Sequence, residues 1–349
     1  MRAGYGKNLR NFVQKLRIEQ ILDFGDLPVF EEATTYPSII RLRKARPKDQ
    51  FSATNIQTLD FHAGMPEYIA ENKFTILTGE LQPEGWSLTD SSVQKLLAKI
   101  KSKGIPLGEY FKGQIFRGIV TGLNEAFVID QTTRDRLIEE DPKSAEIIKP
   151  FLAGRDIKRY QQPVSDKYLI LAQRNIDIER YPKVYQHLII YKSKLEKKAG
   201  SGKWYELQAS PGEISKFEEP KIMYPDISKD LNFILDINSH YCVNTVYNLG
   251  ASSLGLLGFL NSKIFLFYFQ TISNSIRGGY LRFFTDYMKN CPIPDGVENL
   301  ESSVKKVLEA KKQNPTADTT SLEQEIDRLV YGLYGLTEEE IGIVEGSNK

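Results

Sequence analysis

Two cysteines, Cys242 and Cys291, and three histidines, His62, His187 and His240, are all that 349 residues supply of the usual scaffold and zinc ligands. Two cysteines cannot make a disulfide framework. With no secretory leader at the N-terminus, they point to a reducing cytoplasm. No CxxC or HExxH spacing occurs, so a structural zinc site is not expected. No Walker loop and no GxSxG elbow is present. The best-placed glycine turn, Asp23-Phe24-Gly25-Asp26, has one glycine and is followed by Pro28, so it reads as a plain turn. The chain has no Pro-Pro pair, which a loop gripping a flipped base for transfer to an exocyclic amine would need. An excess of one charge is also missing: 46 Lys and Arg oppose 45 Asp and Glu, for a formal net charge of +1. The longest apolar run, Leu254 to Phe269, is interrupted by Asn261, Ser262 and Lys263. It is too short to span a bilayer and reads as one buried helix.

What remains is an ordinary globular composition, 41% hydrophobic and 26% charged, at a length that suggests two or three domains. Residues 9–16 read as helix, and 20–24 and 38–42 as short strands, a small α/β piece that cannot bury much core alone. Residues 45–88 are polar and read as a linker with some local structure. A helix follows over 91–101, with Val93, Leu96, Leu97 and Ile100 on one face, Thr89 or Asp90 as cap, and Gly104 as stop. Residues 115–120 and 126–129 read as a hairpin about Thr121-Gly122-Leu123-Asn124. Asp141-Pro142 opens a helix. Strands are expected at 168–171, 221–224, 233–236 and 241–246. Further on, Leu300, Val304, Val307 and Leu308 form one helical stripe, and Leu322, Ile326, Leu329, Val330 and Leu333 a second. They make an antiparallel hairpin turning near Pro315, and Thr337 with Glu340 is a capping box for a last helix.

The balanced charge divides unevenly. Residues 298–349 carry eleven acids and six bases, a net of −5, which leaves +6 on residues 1–297. The bases gather in clusters: Arg41 to Lys48, Lys95 to Lys103, Arg155 with Lys158 and Arg159, Lys192 to Lys203, and Arg277 with Arg282. One such cluster is ordinary solvated surface; several in one domain suit a face that tracks phosphates. A formal nuclease pattern, Pro294-Asp295 with Glu309-Ala310-Lys311, places its last two members in a polar helical stretch and reads as solvated helix. No catalytic and no metal-binding residue is therefore nominated.

Several ordered motifs carry a family resemblance. Leu9-Arg10-Asn11-Phe12, Ile21-Leu22-Asp23-Phe24-Gly25, Val29-Phe30-Glu31-Glu32-Ala33-Thr34 and Pro37-Ser38-Ile39-Ile40 resemble the closing segment of the catalytic domain in TaqI-like adenine-specific DNA methyltransferases and type IIG restriction-modification enzymes. Arg117-Gly118-Ile119 with Thr121 to Ile129, Ile148 to Leu152 with Gly154-Arg155-Asp156-Ile157, Lys203 to Leu207, Pro220-Lys221-Ile222, Gly278 to Arg282 and Cys291 to Pro294 are similar to that family's target-recognition domain. Val330-Tyr331 through Ile341 is similar to its tail. The resemblance implies an α+β chain: a partial Rossmann-like methyltransferase segment (1–46), a linker and connecting helix (47–104), a DNA target-recognition domain (105–297) and a helical hairpin tail (298–349). It implies double-stranded DNA as partner, beside a catalytic methyltransferase domain or subunit, with or without a nuclease. S-adenosylmethionine is implied for that catalytic half alone, because the family's methyl-donor and Asn-Pro-Pro-Tyr loops precede the segment with which this chain starts. Expected DNA contacts are Arg117, Thr121, Asn124, Arg155, Lys158, Arg159, Lys203, Trp204, Tyr205, Arg277, Tyr280 and Arg282. The alternative is a split specificity subunit acting mainly as a protein-interaction module.

Overall fold

The computed structural model describes the chain except residues 1–5, 26, 31–34, 82–85, 87, 89, 112–114, 201, 211, 274, 277–278 and 348–349. Among the described residues it is a mixed α and β chain with several small sheets. Helix Lys7–Val13 leads into β1 (Arg17–Asp23), which pairs antiparallel with β2 (Ser38–Arg43) and parallel with β3 (Gln50–Asn55). β4 (Phe74–Leu77) closes this sheet in the order β2-β1-β3-β4. The polar stretch 45–88, read as linker, thus contributes two of the four strands and helix Met65–Asn72. Ala53 and Ile76 bury against Ile21, while the polar neighbours of β3 sit on its other face, so the strand pattern is masked by Ser and Thr.

Asp90 caps helix Ser91–Lys103 as expected, its carboxylate accepting from the Ser92 amide at 2.8 Å. The alternative cap, Thr89, lies outside the described residues. β5 (Gly104–Pro106) then pairs with β17 (Pro292–Pro294).

The centre is a sheet of order β12-β10-β14-β6: β12 is Ile234–Asp236, β10 is Lys221–Pro225, β14 is Val246–Leu249 and β6 is Ile115–Arg117. Every residue of β10 is buried. Its alternation feeds two cores: Ile222 and Tyr224 face one, Met223 the other. The first core is closed by helices Leu254–Leu260 and Lys263–Ile272 and by the tail helices Glu301–Gln313 and Thr320–Tyr334. The second is closed by a sheet of order β13-β8-β9-β7, made of Tyr241–Cys242, Ile148–Leu152, Lys167–Ile170 and Val128–Asp130. Helices Gln131–Glu140 and Pro182–Ile189 cover it. A ribbon of order β11-β16-β15, formed by Ile227–Ser228, Tyr280–Arg282 and Ser275–Ile276, extends beyond β10.

Two expectations are corrected here. The hairpin of 115–120 with 126–129 does not form: β6 pairs with β14, β7 pairs with β9, and Asn124–Phe127 is a helical turn between them. Gly118 explains the departure, because a Cβ there would lie 2.2 Å from the Val243 carbonyl oxygen, so the strand runs tight against Val243 instead of turning back. The apolar run 254–269 is two helices. Asn261 brackets the Phe233 backbone, accepting from its amide at 3.3 Å and donating to its carbonyl at 3.0 Å, while Ser262 caps the second helix. The tail hairpin and its capping box form as read: Thr337 Oγ1 accepts from the Glu340 amide, and Glu340 accepts from the Thr337 amide. Among the described residues no helix is long and apolar enough to cross a membrane.

Candidate functional site

A groove of about 1060 Å³ opens between the β7-β8-β9 sheet and the β11-β16 ribbon. It exists because β10 ends at Pro225, where the chain leaves one core and enters the ribbon. Arg155, Lys158, Lys167 and Lys229 bring cations to its walls, with Glu125, Asp130, Asp226 and Asp230 among them. Arg155 projects from a 3₁₀ turn at Gly154–Asp156, whose Asp156 carboxylate accepts from the Ala153 amide at 2.8 Å. That backbone bond is short, whereas the Arg155–Asp156 ion pair is stretched to 3.9 Å, so Asp156 holds the turn and leaves Arg155 largely in solvent. Tyr280 lines the opposite wall, with Lys229 Nζ 5.0 Å from its ring centroid.

Four of the expected contacts line this groove: Asn124, Arg155, Lys158 and Tyr280. Arg117 and Arg282 stand beside it. Arg117 Nε donates to the Asn244 carbonyl at 2.7 Å, and its guanidinium lies 5.8 Å from the Tyr247 ring centroid. Arg282 lies 5.6 Å from the Phe284 ring. Thr121 is 3% exposed and spends its hydroxyl on Asn124 Oδ1 at 2.6 Å, so its side chain is a turn brace. Arg159 points to the tail, pairing with Glu323 at 2.6 Å. Lys203, Trp204 and Tyr205 sit apart from the groove lining. The two aromatics pack with Tyr185 at ring separations of 5.6 and 6.0 Å, with Lys192 and Lys203 over their faces. Arg277 and Gly278 lie outside the described residues.

Sequence reading missed two groups. Asp226 lines the groove, half-buried; burial raises its carboxyl above the usual range, opposed by the charges of Arg117 and Arg282. Lys221, Asp236 and His240 form a buried polar cluster below it. Lys221 Nζ donates to Asp236 Oδ2 at 2.5 Å and to the Phe217 carbonyl at 2.6 Å, and His240 Nδ1 is 2.7 Å from Asp236 Oδ1. Lys221 stands in the family-like Pro220-Lys221-Ile222, but nothing in the sequence links it to Asp236 and His240. Cys242 packs beside them, fully buried, and burial pushes its thiol up to about 12. Among the described residues no group of three His, Cys, Asp or Glu is placed to hold a metal ion. Glu309 and Lys311 lie on helix Glu301–Gln313, where Gln313 and the Ala317 carbonyl engage them.

Comparisons with known proteins fit this geometry. Residues 149–293 match the TaqI-like C-terminal specificity domain, a stretch that holds the Arg155 turn, the central strands and the ribbon. The chain is 23% identical over its whole length to the type II methyltransferase M.PaeR7I of Pseudomonas aeruginosa, covering 62% of that protein. It is 22% identical over 97% of its length to M.XhoI of Xanthomonas vasicola, covering 64% of it. The chain thus spans less than two thirds of these relatives. A solved type IIL restriction-modification enzyme in complex with DNA, MmeI, shares the fold at a TM-score of 0.59 and 13% identity, over 94% of this chain and 44% of that one. The likeness to the TaqI-like specificity domain, in the company of type II methyltransferases, is therefore found by comparison as well as in the ordered motifs.

Proposed function

We propose that residues 105–297 bind duplex DNA sequence-specifically, as the target-recognition part of an adenine-specific methyltransferase in a restriction-modification system. The observation that carries this reading is the groove, whose two walls bear cations and whose lining falls largely inside the stretch that matches the specificity domain. Cations on both walls suit two phosphate backbones, and the polar lining suits base edges between them. On this reading S-adenosylmethionine and the transfer step belong to a methyltransferase domain or subunit, with or without a nuclease, in the cytoplasm. Residues 1–46 are then the closing piece of its α/β sheet. The turn after β1 does not fit a methyl donor: its single Gly25 is closed by the Asp23 carboxylate, which accepts from the Gly25 amide at 3.0 Å.

A salt titration of duplex binding by the full chain tests the reading. Log affinity is expected to fall with log salt by about 0.9 per phosphate contacted. Arg155→Ala and Lys158→Ala each reduce that slope by about 1 while weakening all sequences alike. No duplex binding at low salt, alone or with a methyltransferase partner, overturns it.

A second reading, a specificity subunit that mainly docks on a catalytic partner, is favoured by one observation. Leu9, Phe12 and Ile39 of the first helix and β2 are 56%, 60% and 53% exposed. Size exclusion with and without a methyltransferase partner checks it: Phe12→Ser should abolish co-elution and leave DNA affinity unchanged.

A further inference from the structure

The mouth of the groove holds a group that the sequence motifs do not single out as a unit. Three strand ends meet there. Asp226 follows β10; its amide donates to the Thr245 carbonyl at 2.9 Å and its carbonyl accepts from the Phe283 amide at 2.9 Å. Arg282 stands one residue before Phe283, opposite Ile227 in the ribbon register. Arg117 stands opposite Tyr247 in the central sheet, and its Nε is fixed to the Asn244 carbonyl. The backbone thus brings one carboxylate within electrostatic reach of two guanidinium groups.

Both arginines are propped on aromatic faces, Arg117 on Tyr247 and Arg282 on Phe284, and those two rings are themselves 6.4 Å apart. Stacking orients a guanidinium edge-on to solvent and leaves its terminal N–H groups free. Among the described residues, no ion pair within 4 Å engages Asp226, Arg117 or Arg282. A half-buried carboxylate with no ion-pair partner, beside two oriented arginines whose charges it does not pair within 4 Å, is an arrangement that folding alone does not require.

The set has a chemical complement. A G·C pair presents guanine N7 and O6 as acceptors and the cytosine N4 amine as donor in the major groove, side by side. An arginine fork matches the guanine edge and a carboxylate accepts from the amine. We propose that Arg117, Asp226 and Arg282 form a base-reading station for one G·C pair of the target duplex. This rests on the DNA-recognition reading of the groove and assigns part of its specificity. Asp226 serves a second purpose there. A like charge to the phosphates at the mouth keeps the two arginines from settling on the backbone and favours sequences that offer it an amine.

The experiment selects duplexes from a randomised pool with the full chain at low salt. Wild type is compared with Asp226→Asn, Arg282→Ala and, as a remote control, the exposed tail variant Lys312→Ala. The expected result is an enriched motif containing an invariant G·C pair for wild type and Lys312→Ala. Asp226→Asn and Arg282→Ala should lose discrimination at that pair alone, by roughly 5- to 150-fold. A second arm uses wild type only: placing 7-deazaguanine or N4-methylcytosine at the invariant pair should weaken binding. This arm stays decisive if a variant misfolds. A motif identical in all variants and indifferent to both modified bases overturns the base-reading station and leaves DNA recognition standing. A wild-type chain that enriches no sequence overturns both.

Discussion

Asp226 and Asp236 are ten residues apart, one just beyond β10 and one at the end of its neighbour β12, and the fold treats them in opposite ways. Asp236 is fully buried. Burial alone would raise its carboxyl, but the His240 hydrogen bond and the Lys221 ammonium win and hold it down to about 2. Asp226 is half-buried, has no side-chain donor like these, and burial raises it against the Arg117 charge and the Ile227 amide. The difference separates a charge that organises the chain from one that, on the proposed reading, is left for a partner. A buried carboxylate with every lone pair engaged fixes the ends of β10, β12 and the 236–240 turn. A half-buried carboxylate at a groove mouth with no ion-pair partner contributes little to folding.

The largest test of that contrast removes one side of the organising pair. Lys221→Met leaves the Asp236 carboxylate buried without its ammonium, and the expected cost is about 3–5 kcal/mol of unfolding free energy. Asp226→Asn should change stability by no more than about 0.5 kcal/mol. Urea unfolding of both variants checks the pair. Equal losses would break the comparison, because Asp226 would then be structural.

A third aspartate sharpens it. Asp327 in helix Thr320–Tyr334 is 4% exposed and accepts the Lys263 amide at 2.8 Å, one donor where Asp236 has several. Burial dominates and raises it to about 6, against the backbone hydrogen bond and the charges of Arg159 and Lys263, with Glu345 adding to the rise. The folded state therefore binds this proton more tightly than the unfolded chain, whose carboxyl titrates near 3.8. Its contribution to stability falls as pH rises from about 3.8 to about 6 and is flat above. Asp236 works the other way: its contribution is present above about 3.8 and is lost as pH falls towards 2. Asp327→Asn should raise stability at pH 7 and remove the decline between pH 4 and 6, as read by thermal unfolding across pH. A decline unchanged in the variant would assign it to another group.

The local parts of this architecture were legible in the sequence and the long-range parts were not. The Asp90-capped helix, the tail hairpin and the Thr337–Glu340 box are read within a few turns of chain, where one period and one cap decide the outcome. β3 was hidden because its sequence, Gln-Phe-Ser-Ala-Thr-Asn, pays for one buried face with Phe51 and Ala53 only. The expected hairpin failed because β6 and β7 each find a better partner more than thirty residues away. The site shows the same division. Arg155, Lys158 and Tyr280 come from basic or aromatic clusters visible in one dimension, and they do line the groove. Asp226 stands in no motif, and only the meeting of β10, the ribbon and β6 gives it neighbours. Lys221, Asp236 and His240 likewise come together only through the register of β10 on β12.

Arg159 supplies the smallest test, on the border between the two kinds of charge. It belongs to the same basic cluster as Arg155 and Lys158, yet its guanidinium turns from the groove to Glu323 of the tail, at 2.6 Å. Its amide also donates to Asn232 Oδ1 at 3.1 Å, so the backbone there is held independently of the side chain. With side-chain exposures of 32% and 21%, the pair is screened only in part, and Arg159→Ala should cost about 0.2–1 kcal/mol of stability. Because the side chain is committed to the tail, the same substitution should leave the salt slope of duplex binding unchanged, whereas Arg155→Ala lowers it. If Arg159→Ala lowers the slope as much as Arg155→Ala, the tail pair must open when DNA binds, and the acidic tail then acts as a competitor for a cation of the recognition face. Glu323→Gln would distinguish that case: it should raise duplex affinity if the pair competes with DNA, and leave it unchanged if Arg159 only fastens the tail.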